Sequence, residues 1–231
     1  MRIRPVGVHA LLIDCATADQ VEAWRAELWR RRERGELTAV EIVPAATTVL
    51  LDGVPDPAAT AARIAAWQPR PDAPVAPGAP GAGSGAAAGG GTPGPSTTPP
   101  AAPAAAGPVE VPVTYDGEDL PLVADHWGVD VPAVVDRLGR TRFRVAFCGF
   151  APGFAYLTGL PAELAVPRLP SPRPRVPAGS VALAGPYAGI YPAASPGGWL
   201  LVGRTGMPLF DVRADPPARL TPGTRVRLVA A

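Results

Sequence analysis

The spacing of apolar side chains divides the chain into two patterned stretches around a middle that has none. Ala10–Asp14 is a short apolar run that reads as a buried strand. Thr17 and Gln20 then make a T-x-x-Q capping box, after which Val21, Trp24 and Leu28 fall on one helical face. Arg30, Arg31, Arg32 and Arg34 crowd the last turn, where positive charge suits the helix dipole, and Gly35 stops it. That cluster reads as a solvated helix end rather than a binding patch. Val40–Val43 and Thr47–Leu51 predict strands, and Asp56 caps a second helix with Pro57 at its first position and Trp67 near its end. Residues 1–68 thus read β-α-β-β-α, a module marginal for an independent core and expected to pack against something else.

A second pattern starts at Val109 and runs to residue 231. Val109, Val111, Val113 and Tyr115 alternate as a half-buried strand. Two short helices follow, one over Leu120–Trp127 stopped by Gly128, the other over Val131–Leu138 capped by Asp130 and stopped by Gly139. Phe143, Val145 and Phe147 alternate again, and further strands are predicted at Ser180–Ala184, Trp199–Val202, Leu209–Val212 and Arg225–Val229. Short strands separated by Gly/Pro turns indicate a barrel or sandwich, and the whole chain is α+β.

Between them, from Ala73 to Pro108, there is neither charge nor aromatic ring, only Ala, Pro, Gly, Ser, Thr and one Val. Such a segment cannot bury enough apolar surface to offset the entropy of ordering it. Residues 69–108 are therefore expected to be a disordered tether, with a root-mean-square reach of roughly 35 Å.

Composition removes several kinds of chemistry. The formal net charge is +1, which gathers neither nucleic acid nor acidic membranes. All 21 basic residues are arginine. With no lysine, Walker A, Schiff-base and lysine-amine chemistry are excluded. Cys15 and Cys148 have no C-x-x-C spacing and form no metal-ligand pattern with His9 and His126, so they read as small buried hydrophobes in a reducing compartment. The apolar run Ala10–Ile13 is too short for a signal peptide and nothing approaches a membrane span, so a soluble cytoplasmic protein is expected.

The candidate chemistry sits on arginines and aromatic rings. The segment Pro167–Pro177, P-R-L-P-S-P-R-P-R-V-P, holds Arg168, Arg173 and Arg175 extended among five prolines. Guanidinium groups presented this way suit carboxylate or phosphate, though they equally suit pairing with surface acids. Arg204 in V-G-R-T stands at a strand end, placed either to reach a ligand in a barrel mouth or to tie down a neighbouring loop. Ser195-Pro196-Gly197-Gly198 reads as an anion nest or a plain hairpin turn. Ser180 follows Ala178-Gly179 and is a nucleophile only with a base beside it; no G-x-S-x-G elbow supports that role. Phe150, Phe154 and Tyr156 surround Pro152-Gly153, and with Tyr191 they either wall a groove or form core.

The motifs themselves are dense: F-C-G-F-A-P-G-F-A-Y-L from Phe147, P-R-V-P-A-G-S-V ending at Val181, G-I-Y-P from Gly189, S-P-G-G-W from Ser195, G-R-T from Gly203 and L-F-D from Leu209. Upstream stands V-P-V-T-Y-D-G-E-D-L at Val111–Leu120, and more loosely R-I-R-P-V-G at Arg2. In this order they resemble the family of the 5-oxoprolinase B subunit, which also contains the sporulation kinase inhibitor KipI and the allophanate hydrolase subunit 1 domain. The resemblance implies a small N-terminal α/β sandwich and a C-terminal cyclophilin-like β-barrel. It further implies ATP-dependent opening of 5-oxoproline to L-glutamate together with subunits A and C, with ATP bound jointly with them. The alternatives within the family are inhibition of a sensor histidine kinase and a part in allophanate hydrolysis. Two departures stand out. Family members join their halves more tersely, and they commonly carry a His where this chain has Leu138.

Overall fold

The computed structural model describes residues 1–69 and 107–231; the expected tether falls almost wholly outside the described residues. Four strands, β1 (Arg2–Val6), β2 (Ala10–Asp14), β3 (Glu41–Pro44) and β4 (Thr48–Asp52), make an antiparallel sheet in the order β1-β2-β4-β3. Period-two alternation turns Leu11, Ile13, Ile42, Val49 and Leu51 to one face. There they meet Val21, Trp24 and Leu28 of helix α1 (Ala18–Glu33) and Ile64 of helix α2 (Pro57–Ala65). The caps are those read from the sequence: Gln20 N donates to Thr17 Oγ1 at 3.2 Å, and Ala59 N donates to Asp56 Oδ1 at 2.9 Å. The expected order lacked β1, whose polar R-I-R-P-V sequence carries no burial signal because the strand lies at the sheet edge, where Pro5 is tolerated.

The second half is built on seven strands in the order β12-β9-β10-β7-β6-β13-β5. These are β5 (Val109–Val113), β6 (Phe143–Cys148), β7 (Ala155–Thr158), β9 (Ser180–Ala184), β10 (Tyr187–Ile190), β12 (Leu200–Arg204) and β13 (Arg225–Ala230). The sheet's two ends meet: just past β5, Thr114 exchanges two backbone hydrogen bonds of 2.9 Å with Arg204 of β12, which closes a barrel. Val113, Val145, Leu157, Leu183, Ile190, Val202 and Leu228 fill its interior. Helices α3 (Leu120–Trp127) and α4 (Val131–Arg140) pack Val123, Trp127, Val134 and Leu138 into the same core. Leu138, at the position where the family commonly has His, is fully buried there.

A two-stranded ribbon pairs β8 (Arg173–Val176) with β11 (Ser195–Gly197) outside the barrel. The Ser195–Gly198 stretch is therefore largely strand, not the turn or anion nest expected of it. Leu209–Val212, expected as a strand, makes only the isolated bridge Phe210–Ala218, because no neighbouring strand is there to pair with it. The two halves touch through one carboxylate: Glu22 of α1 accepts from Arg25 at 2.7 Å and from Arg144 of β6 at 2.9 Å. Among the described residues, no helix is long and apolar enough to cross a membrane.

Candidate functional site

Strands β7, β9, β10 and β12 are buried on both faces, and the outer face carries a second apolar cluster. Alternation puts Val181 and Leu183 of β9 inside the barrel and Ala182 and Ala184 outside; Leu201 of β12 also faces outward. These small residues leave room for rings. Phe154 and Trp199 stand with centroids 5.5 Å apart and nearly perpendicular, over Gly189, where a Cβ would lie 2.9 Å from each ring. Tyr191 meets Phe154 edge-on at 5.3 Å, and Tyr156 meets it at 5.1 Å. A bulge between Val145 and Phe147 turns the end of β6 outward, so that Phe147 stacks on Tyr156 at 4.3 Å. Edge-to-face and offset contacts of this kind are the favoured aromatic geometries.

Of the expected pocket wall, Phe154 and Tyr191 are buried, Tyr156 is half-buried and Phe150 is exposed. Burial pushes the Tyr191 phenol above its ordinary pKa, and the nearby Arg168 guanidinium pulls it partly back. Burial likewise raises Tyr187, with Tyr156 adding to the effect.

The arginines separate by environment. Arg173 is tied down: its Nη2 donates to both carboxylate oxygens of Asp119 at 2.8 and 2.9 Å, and its Nε lies 2.6 Å from Glu118. Burial works against its charge, but the Asp119 hydrogen bonds and attraction more than compensate, so its pKa stands above the usual guanidinium value. Asp119 is buried and also accepts from Leu201 N at 2.7 Å, so one carboxylate joins the start of α3, β12 and the β8 ribbon. Arg168 is exposed, with its guanidinium carbon 6.0 Å from the Trp199 ring centroid. Arg175 is exposed on β8. Among the described residues, no carboxylate lies within salt-bridge distance of either.

Arg204 belongs to the closure of the barrel, with its Nε donating to Asp116 at 2.7 Å. Ser180 is buried at the start of β9, opposite Arg204 in the register. His126 is exposed, with its Nε2 at 3.1 Å from the Ala165 carbonyl. The structure thus brings Arg168, Phe150, Phe154, Tyr156 and Tyr191 around one aromatic face, and places Arg173, Arg204 and Ser180 in contacts that hold the fold. Sequence reading missed Asp119, Trp199 and Tyr187. For Asp119 no local signal exists, since its partner is distant in sequence; S-P-G-G-W marked Trp199 only as a turn exit. Among the described residues, no group of three or more His, Cys, Asp or Glu is arranged to hold a metal. What the arrangement offers chemically is an aromatic surface bordered by guanidinium groups, suited to a flat or apolar group that carries an anion.

Residues 1–220 match the family model of the carboxyltransferase domain, subdomain C and D. Over 124 residues, 52% of this chain, the sequence is 48% identical to the 5-oxoprolinase B subunit of Escherichia coli O157:H7, covering 57% of that protein. It is 44% identical to the 5-oxoprolinase B subunit of Bacillus subtilis over 124 residues, again 52% of this chain and 52% of that protein. The match thus spans little more than half the length of these curated relatives. The crystal structure of the protein TTHA0988 superimposes with a TM-score of 0.68 at 31% identity, covering 97% of this chain and 40% of that one. A conserved uncharacterized protein of Pyrococcus horikoshii gives 0.52 at 28% identity, covering 100% and 97% of the two chains. The Kluyveromyces lactis urea amidolyase shares the fold at 18% identity, with a TM-score of 0.63 over 99% of this chain and 15% of its own.

Proposed function

The chain belongs to the family of the carboxyltransferase domain, subdomain C and D, and we propose that within it this protein serves as the B subunit of a bacterial 5-oxoprolinase. The observation that carries the reading is the 48% identity to a protein named as a 5-oxoprolinase B subunit. In this reading the complex, with subunits A and C, opens the lactam of 5-oxoproline to L-glutamate while ATP is hydrolysed. An amide in a five-membered ring resists water because its carbonyl carbon is weakly electrophilic. ATP, as co-substrate, supplies a phosphoryl group that makes the carbonyl oxygen a leaving group.

This chain's part is electrostatic. Arg168 and Arg175, exposed beside the aromatic face and without a nearby carboxylate, are the groups suited to the substrate carboxylate or to developing phosphoryl charge. The ring face of Tyr191, Phe154 and Trp199 would hold the apolar edge of the substrate and exclude water. Guanidinium groups stay protonated at neutral pH and cannot act as general base, so the base and much of the nucleotide site are assigned to the partner subunits. Pull-down of the tagged chain from its native lysate tests this. Recovery of subunits A and C supports the enzyme, whereas recovery of a sensor histidine kinase without them contradicts it and favours the inhibitor reading.

A further inference from the structure

We infer that the adjoining loops 149–153 and 209–212 form the docking surface for another subunit of the complex. That subunit would seat an apolar socket over Phe150, Phe210 and Val212 and present carboxylates to Arg168 and Arg175. The inference rests on the reading proposed above and specifies where the assembly is made.

Phe150 has φ +71° and, among the described residues, is the single non-glycine residue with positive φ. Side chains with a Cβ avoid this region, so the loop holds a bulky ring in a costly backbone conformation. The result is not burial. The ring rests edge-on against Phe154 at 5.2 Å and Tyr191 at 6.2 Å, yet the residue stays 61% exposed. A strained backbone that displays an aromatic ring to solvent is poorly explained by the stability of this chain alone.

The neighbouring loop makes the same offer. A Cβ on Gly153 would lie 2.7 Å from Phe210 Cβ, so the two loops are in direct contact. Phe210 is 41% exposed and Val212 80%. Nor is this segment loosely held. Arg219 N donates to the Leu209 carbonyl and Asp211 N to the Pro217 carbonyl, each at 2.9 Å, so Phe210 and Val212 project from a tied loop. Elsewhere the exposed large apolar residues are aliphatic, among them Val6, Val8, Val40 and Leu122.

Charge identifies the occupant. Arg168 approaches Trp199 and Tyr191, the same cluster on which Phe150 rests, and with Arg175 it borders the rings without a carboxylate of this chain within salt-bridge distance among the described residues. Asp211 is the acid within the second loop, and it accepts from Arg213 N at 2.9 Å. An apolar centre bordered by unpaired cations fits a protein face with a central socket and an acidic rim. The fold also occurs beside further sequence, since it takes up 40% of the longer TTHA0988 chain.

The test is isothermal titration of the full-length chain against purified subunits A and C from the same organism, with thermal melting as the check on folding. Phe150→Gly removes the ring while suiting the positive φ, and it is expected to weaken binding at least about tenfold without loss of stability. Arg175→Glu is expected to weaken it most at low salt, and Leu122→Ser to leave it unchanged. Wild-type affinity in Phe150→Gly overturns the inference. So does a wild-type chain that binds neither subunit, or one whose self-association or binding to a purified histidine kinase is what Phe150→Gly abolishes. If the Phe150→Gly complex assembles normally and releases glutamate from 5-oxoproline, the surface is misassigned but the function stands. If neither wild-type binding nor glutamate release occurs, both fail.

Discussion

Arg168 and Arg173 lie in one proline-rich segment and look alike in sequence, but their surroundings give them opposite work. Arg173 neutralises the buried Asp119, so Arg173→Ala leaves a carboxylate uncompensated inside the protein and is expected to cost about 3 kcal/mol of stability in urea titration. Arg168→Ala removes an exposed side chain and should change stability by less than about 0.5 kcal/mol. The same change should weaken anion binding by about 1.5–3 kcal/mol, measured as Kd or KM of the assembled complex. A large loss of melting temperature in Arg168→Ala with unchanged affinity would reverse the assignment. Sequence could not separate these arginines, because the distinguishing group, Asp119, lies at the start of α3 and meets Arg173 only through the fold. Tyr115 provides a pH handle. Burial pushes its phenol up to about 12, above the unfolded value of about 10. Its contribution to stability is therefore complete below pH 10 and is lost as pH rises from there towards 12. Urea midpoints should fall over that range, and Tyr115→Phe should flatten the decline.

Elements with local punctuation were legible and those defined by a partner strand were not. Helix α3 ends where Gly128 adopts φ +62°, and α4 begins where Asp130 Oδ1 accepts from Ala133 N at 2.9 Å, both as the sequence indicates. Strands β8 and β11, R-P-R-V and S-P-G, carry proline and glycine that signal turns; they are strands because each finds the other. Leu209–Val212 shows the converse, strand chemistry without a partner. The aromatic face was likewise hidden, since it depends on small residues in one strand lying beneath rings from others. Gly189→Ala tests that packing directly. Its Cβ would crowd Phe154 and Trp199, and the overpacking is expected to cost about 1–3 kcal/mol in chemical denaturation. A neutral result would mean that the two rings have room to move.

At the scale of the whole molecule, two separate hydrophobic cores and one shared carboxylate, Glu22, describe how the halves stand together. The family was legible from motif order, and the fold followed from it; the activity was not, because no self-contained catalytic set is spelled out in the chain. The account's central claim is that this protein supplies a shaped, cationic aromatic face to a 5-oxoprolinase assembled from several subunits. The direct measurement is glutamate release from 5-oxoproline and ATP, run with the purified chain, with subunits A and C alone, and with all three. The account predicts turnover only in the three-component mixture, lowered about tenfold to a hundredfold in kcat/KM by Arg168→Ala. Robust turnover by the isolated chain, or by subunits A and C without it, would contradict the claim.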